Sequence, residues 1–272
     1  MSLGVLNNIP SLAAENQLNI TNANLQNTLF QLSSGSRINS GADDAAGLAI
    51  ANGLQANITA LTQSVANAND GVGSLQVADG ALSQVTTLLN RAITLGTEAS
   101  TGTVSSTQRV AIDAEYQQIR AEIDSIGSNT TFNGTAVFTA SVTSIFLSDS
   151  TAAGTSTIGV SIGSLSTASL GITGNLTTAS LAQTELTNIN AAVGAVASAR
   201  GNIGAGINRL QAASNVLNNE IQNLTTAEDQ ITAADIPTVV ANLSKYSILE
   251  QTGISALAQA NTAQQQVLNL LH

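Results

Sequence analysis

Few side chains in this 272-residue chain could carry a reaction. Its single histidine is His272, the last residue, and it has no cysteine. A nucleophile activated by imidazole, or a metal held by two histidines, therefore cannot be assembled. Asp70-Gly71-Val72-Gly73 contains a Gly-x-Gly, but it lies inside a helical apolar repeat and follows no strand, unlike a phosphate-binding turn. The carboxylate pairs Asp43/Asp44 and Glu228/Asp229 fall where helix ends are expected, and a helix end accounts for them without acid–base catalysis. The sequence thus predicts no catalytic residue, no cofactor and no metal.

What remains is a chain written for packing. Hydrophobic residues make up 43% and aromatic residues only 2%, so a core must be built from Ala, Val, Ile and Leu, which suits packed helices. Charged residues amount to 9%, against roughly a quarter in ordinary soluble domains. Ser, Thr, Asn and Gln fill the polar positions instead, a surface better suited to meeting protein than water. Net charge is −10, with Arg37, Arg91, Arg109, Arg120, Arg200, Arg209 and Lys245 as the side-chain cations. They form no basic cluster, which disfavours nucleic acid and anionic membrane surfaces as partners. Mean hydropathy is +0.20, yet no apolar run approaches the ~18 residues of a membrane span. The opening MSLGVLNNIPSL lacks the basic region of a secretory signal. The protein is expected to stay in the cytosol or to leave by a route without signal cleavage.

The elements that carry this packing are mainly helical. Leu54, Ile58, Leu61, Val65, Ala68, Val72 and Leu75 alternate by four and three, and after one slip Ala78, Leu82, Val85, Leu89 and Ala92 continue. Ile112, Tyr116, Ile119, Ile123 and Ile126 repeat the pattern after the break ASTGTVSST. A third run extends from Leu186 to Ile231 without a slip; as a helix it would be roughly 65–70 Å long. Arg200, Ser214 and Glu228 interrupt it in one heptad position, either because that edge is half exposed or because they fix register against a neighbour. Between these runs, FNGTAVF, SVTSIFLS and TSTIGVSIG are rich in β-branched residues, and Asn133-Gly134 is a turn signal, so one or two β-hairpins are expected. Ser148, Ser150, Thr151, Thr155 and Ser156 there are candidate O-glycan acceptors.

The two ends mirror each other. Leu18, Leu25, Leu29 and Leu32 on one side, and Leu243, Leu249, Leu257 and Leu268 on the other, lie among many Asn and Gln. Each end could form an amphipathic helix too weak to stand alone, ordered by packing against the other end or against other copies. Between the first helix and the long one, Gly35 fits a left-handed cap, and Ser40 with Asp43 resembles a capping box. Asp43 and Asp44 would lie in the first turn of the helix that begins there. Arg37 is left in the loop, either solvated or reaching a carboxylate of another subunit.

LSSGSRINSGADDAAGLAIANGLQANITALTQSVANANDG (32–71), SNTTFNG (128–134) and ILEQTGISALAQANTAQQQVLNLL (248–271) together resemble the signatures of bacterial flagellin. The resemblance covers all but the β segment. It implies a mainly α fold: a long antiparallel coiled-coil rod with a small β-hairpin element, and paired N- and C-terminal helices in the core of a tubular filament. The division expected is 1–40 with 235–272 as terminal core, 41–135 with 177–234 as rod, and 136–176 as the β element, with no large outer domains. The function implied is that of a structural subunit polymerising into the flagellar filament outside the cell, exported unfolded through a type III apparatus. The leucines named above would be its polymerisation seams, and Arg37, Asp43 and Asp44 its hinge and subunit contact. Other copies, an export chaperone, a filament cap and hook-junction proteins would be its partners. The family's motif for a vertebrate Toll-like receptor matches Arg91, Leu95 and Glu115, although Ala92, Ile93 and Thr94 depart from its charged pattern. His272 stands where Arg is common. A hook–filament junction protein is the competing reading, disfavoured by the match at 248–271.

Overall fold

The computed structural model describes residues 8–148 and 157–270, with side chains to residue 266. Its elements are α1 (Ile9–Ser34), α2 (Ala45–Ser100), α3 (Ser106–Asn129), β1 (Thr131–Phe132), β2 (Thr135–Ala136), β3 (Thr143–Phe146), β4 (Thr157–Val160), α4 (Ala179–Thr232) and α5 (Ile236–Leu270). They form two compact units, Met1–Ala56 with Asn223–His272, and Asn57–Gln222.

In the larger unit the buried line of α2 runs through Leu61, Ser64, Ala68, Gly71, Leu75, Ala78, Leu82, Val85, Leu89 and Ala92. Three and four alternate throughout, so the slip expected before Ala78 does not exist. Val65 and Val72, expected on the line, flank it half-buried, and Ser64 and Gly71 hold their places. Both positions need small residues because the β3 segment lies on them. Ser64 Oγ donates to the Ser148 carbonyl at 3.1 Å, and a Cβ on Gly71 would sit 2.3 Å from Ile145 Cδ1.

Helix α4 shows the same displacement. Ile189, Val196, Ile203, Leu210 and Leu217 are buried as the repeat predicts, but Glu185, Ala192 and Gly206 replace Leu186, Val193 and Ile207 on the intervening line. A Cβ on Gly206 would lie 3.1 Å from Val160 of β4 and 3.2 Å from Leu75 of α2, so three elements converge there. Arg200 is half-buried at the flank, and its Nε and Nη2 donate to Asp79 of α2 at 2.8 and 3.2 Å. Both readings of Arg200 therefore hold: it lies on the stripe's edge and fixes register across two helices. Its guanidinium holds the Asp79 carboxyl below the usual range.

Helix α3 starts at a capping box, Ser105 with Gln108. Arg109 turns back to close the end of α2, donating to the carbonyls of Ala99 at 2.8 Å and Thr101 at 2.7 Å. Further along, the buried Glu185 accepts from the Tyr116 hydroxyl, from Gly174 N at 3.0 Å and from Asn188 Nδ2 at 2.9 Å. These three donors satisfy a carboxylate that water cannot reach. Gly174 lets the backbone come this close, since a Cβ there would lie 2.3 Å from Glu185 Oε2 and displace the carboxylate. At the other end of α3, Asp124 accepts from Thr167 N at 2.7 Å and Thr167 Oγ1 at 2.9 Å, docking the segment after β4.

Where one or two β-hairpins were expected, the β segment forms two antiparallel strand pairs. Asn133 and Gly134, at φ 49° and 75°, make the tight turn of the antiparallel β1–β2 pair. β3 and β4 pair antiparallel from Thr143↔Val160 to Phe146↔Thr157.

Two outcomes follow from this packing. Gly127 sits so close that a Cβ would fall 2.0 Å from the Leu165 carbonyl oxygen, so Gly127→Ala should cost about 1–3 kcal/mol in urea unfolding followed by circular dichroism. Burial, then the hydrogen bond to Glu185, raises the Tyr116 hydroxyl above its ordinary 10.0. The neutral phenol is the form the fold stabilises, so this contribution is complete below pH 10 and declines as pH rises beyond it. Tyr116→Phe should cost about 1–3 kcal/mol near neutrality and remove up to about 1.4 kcal/mol per pH unit of the alkaline loss. Urea titrations on both sides of that pH measure each effect.

Candidate self-assembly interface

Helix α1 carries one acidic residue, Glu15, and no cation, so little within it favours a helix in isolation. Its ends are nevertheless well specified. Asn8 accepts from Ser11 N at 3.1 Å, Pro10 occupies the first turn, and Gly35 closes the helix in the left-handed conformation at φ 70°. Helix α5 lies antiparallel to it: Asn8 Nδ2 donates to the Ala260 carbonyl at 3.3 Å, and Ala234 N to the Gly35 carbonyl at 2.9 Å.

The seam between them is a heptad line with an unusual content. On α1 the inward positions are Ser11, Ala14, Leu18, Thr21, Leu25, Thr28 and Leu32; on α5 they are Val239, Leu243, Tyr246, Glu250, Gly253, Leu257, Ala260 and Gln264. Thr21 and Thr28 are the most buried of the α1 set, and their hydroxyls donate to the carbonyls of Gln17 and Asn24, each at 2.8 Å. With the hydroxyl satisfied by its own helix, each threonine is buried on the seam without an unpaired polar atom. Leu18 packs on Gly253, where a Cβ would lie 3.2 Å from Leu18 Cδ1.

Of the leucines expected to form seams, Leu18, Leu25, Leu32, Leu243 and Leu257 face this intramolecular line. Leu29 and Leu249 point away, 47% and 40% exposed. The side chain of Leu268 lies outside the described residues, as do Ser150, Thr151, Thr155, Ser156 and His272. Ser148 is buried.

Beyond Gly35 the chain forms a clasp with the end of α4. Ser36 and Ala233 pair as an antiparallel bridge. Arg37 N donates to the Thr232 carbonyl at 2.6 Å, and Arg37 Nη2 to the Ile231 carbonyl at 2.7 Å. Within the chain, then, Arg37 satisfies the unpaired carbonyls at the negative end of a helix, a role neither sequence expectation included. Helix α2 begins at Ala45, so Asp43 and Asp44 precede its first turn instead of lying within it as expected. Asp44 is its cap, accepting from Ala46 N at 3.1 Å and Gly47 N at 2.9 Å. Asp43 binds backward rather than forward, accepting from Asn39 N, Ser40 N and Ser40 Oγ. Those donors, Asn39 N first, hold its carboxyl below the usual range. The expected capping box is absent because Ser40 donates its hydroxyl to Asp43 instead of accepting from a helix amide.

In the larger unit, Arg91 Nε and Nη2 donate to the two Glu115 carboxylate oxygens at 2.7 and 3.0 Å, tying α2 to α3. Leu95 is 2% exposed. Only Arg91 and Glu115 of that trio reach the surface, and they face each other. Among the described residues no cluster of His, Cys, Asp and Glu could hold a metal, and no helix is long and apolar enough to cross a membrane.

Residues 5–143 match the model of the bacterial flagellin N-terminal helical region, and residues 186–271 that of the C-terminal helical region. The flagellar filament 30.7 kDa core protein of Treponema maltophilum is 33% identical, over 97% of this chain and 98% of its own. A flagellin of Halalkalibacterium halodurans is 32% identical over the same shares. The crystal structure of Bacillus cereus flagellin aligns over 56% of this chain and 88% of that one, at 30% identity and a TM-score of 0.49. With both terminal regions matched in order and relatives aligned almost end to end, the chain belongs to the bacterial flagellin family.

Proposed function

We propose that this chain is the structural subunit of a flagellar filament, polymerising outside the cell to serve motility. The observation that carries the proposal is what remains uncovered once α1 and α5 have closed their own seam. Ile9, Leu12, Ile20, Leu29 and Phe30 of α1, with Ile236, Val240, Ile248, Leu249 and Ile254 of α5, are exposed. So many large apolar side chains on one helix pair mark a surface that meets protein. Each would contribute roughly 25 cal/mol per Å² of apolar area buried against neighbouring copies. That gain offsets the ordering cost that two weakly helical ends meet poorly alone. The names of the relatives, filament core proteins and flagellins, support the same reading.

In this account the paired ends pack in the core of the tube. Residues 1–40 with 235–272 then constitute the polymerising core. Arg37, with Asp43 and Asp44 nearby in the chain, serves as the hinge and subunit contact of this account. An export chaperone, a filament cap and hook-junction proteins are the partners such a subunit needs. A chain without cysteine carries no disulfide to obstruct passage through an export channel. No catalytic role is proposed.

Purified monomer seeded with short filament fragments should grow long tubes in electron microscopy, and a variant lacking residues 1–20 should not. Equal growth of the two would remove the terminal helices from the mechanism. The inward and outward leucines separate further. Leu29→Ser and Leu249→Ser should leave monomer unfolding within about 0.5 kcal/mol of the parent while reducing seeded growth severely. Leu18→Ser should lower monomer helicity by circular dichroism as well.

A further inference from the structure

Among the charges of the Asn57–Gln222 unit without bonding partners, Arg209 and Asp70 lie on opposite flanks of the β3–β4 hairpin. Five of the six arginines are engaged within the chain: Arg37 and Arg109 on helix-end carbonyls, Arg91 and Arg200 on carboxylates, Arg120 on Gln117 and the Gly174 carbonyl. Arg209, exposed on α4, has no hydrogen bond or ion pair among the described residues. Asp70, exposed on α2, likewise has none.

Packing puts these two charges at one level. The hairpin straddles α2 and α4, with Ile145 of β3 on Gly71 and Val160 of β4 on Gly206. Leu210 also reaches Gly71, so the immediate neighbours of Asp70 and Arg209 are in contact. On the β3 side, a groove of about 440 Å³ is lined by Asp70, Asn67, Phe132, Val137 and Ile145. On the β4 side, Arg209 and Asn202 border a smaller recess of about 250 Å³ against Gly159 and Ser161. One flank is therefore a groove holding a free carboxylate, and the other a strand margin holding a free guanidinium.

We propose that these flanks are the two halves of one lateral contact between copies. The β4 margin of one subunit enters the β3 groove of the next, and Arg209 pairs with Asp70 across the boundary. This rests on the filament reading and names a contact within it. Charge complementarity identifies the occupant as a second copy: at a net charge of −10, like chains repel except where a free cation meets a free carboxylate. The halves are different surfaces, so the contact is heterologous. It repeats from copy to copy instead of closing as a two-fold dimer, as a tubular wall requires.

Charge reversal in the full-length chain tests it. Seeded growth at low salt should fall about three- to tenfold for Arg209→Asp and for Asp70→Arg taken singly, and the double reversal should recover to within about twofold of the parent. The single deficits should shrink at high salt, and monomer circular dichroism should be unchanged in all three. Single reversals that grow like the parent overturn the contact, as does a double reversal that stays as slow as the singles. In either case parental growth still upholds the filament. A parent that never grows on seeds overturns the filament reading and this contact with it.

Discussion

The close approach of helices that have almost no charge to keep them apart governs the rest of this structure. Where two helices meet, or a strand crosses one, the residue at the contact is repeatedly glycine, alanine, serine or threonine: Gly71 under Ile145, Gly206 under Val160, Gly253 under Leu18. At those points backbone lies near side chain, and dispersion accumulates over many short contacts instead of a few large aromatic ones. A chain with four phenylalanines, two tyrosines and no tryptophan has no other way to fill its interior. The threonines of α1 extend the logic, since a hydroxyl bonded to the preceding turn leaves no unpaired polar atom on the seam.

Scarcity of charge then decides how each ion is used. Arg37 and Arg109 sit at helix C-termini, where the carbonyls of the final turn lack amide partners. Asp44 does the reverse at the start of α2. Arg200 with Asp79 and Arg91 with Glu115 are bidentate and join separate helices, so each fixes the sliding register that an apolar seam of small residues leaves loose. Exposed as they are, such pairs contribute specificity more than stability.

The helices, their breaks and the hairpins were legible from periodicity and turn chemistry, and Gly35 and Asn133-Gly134 occupy the conformations their residue types suggested. The line of burial was not fully legible. Apolar letters drew it through Val65, Val72, Val193 and Ile207, whereas close packing prefers the smaller neighbours Ser64, Gly71, Ala192 and Gly206. A heptad reading that admits Ser, Thr and Gly as seam residues finds the unbroken repeat, and it separates Leu18 and Leu25 from the outward Leu29. The partner of Arg37 was invisible for another reason. Backbone carbonyls carry no sequence signature, and those of Ile231 and Thr232 lie nearly two hundred residues away.

The antiparallel closure of α1 on α5 also has a mechanical meaning. The start of α1 at Asn8 lies beside Ala260 in the last third of α5, while the clasp of Gly35–Arg37 with Ile231–Ala234 stands at the opposite end. Tension applied at either terminus loads one turn of the pair at a time, as in a zipper, rather than shearing the whole interface at once. At the clasp several hydrogen bonds must yield together.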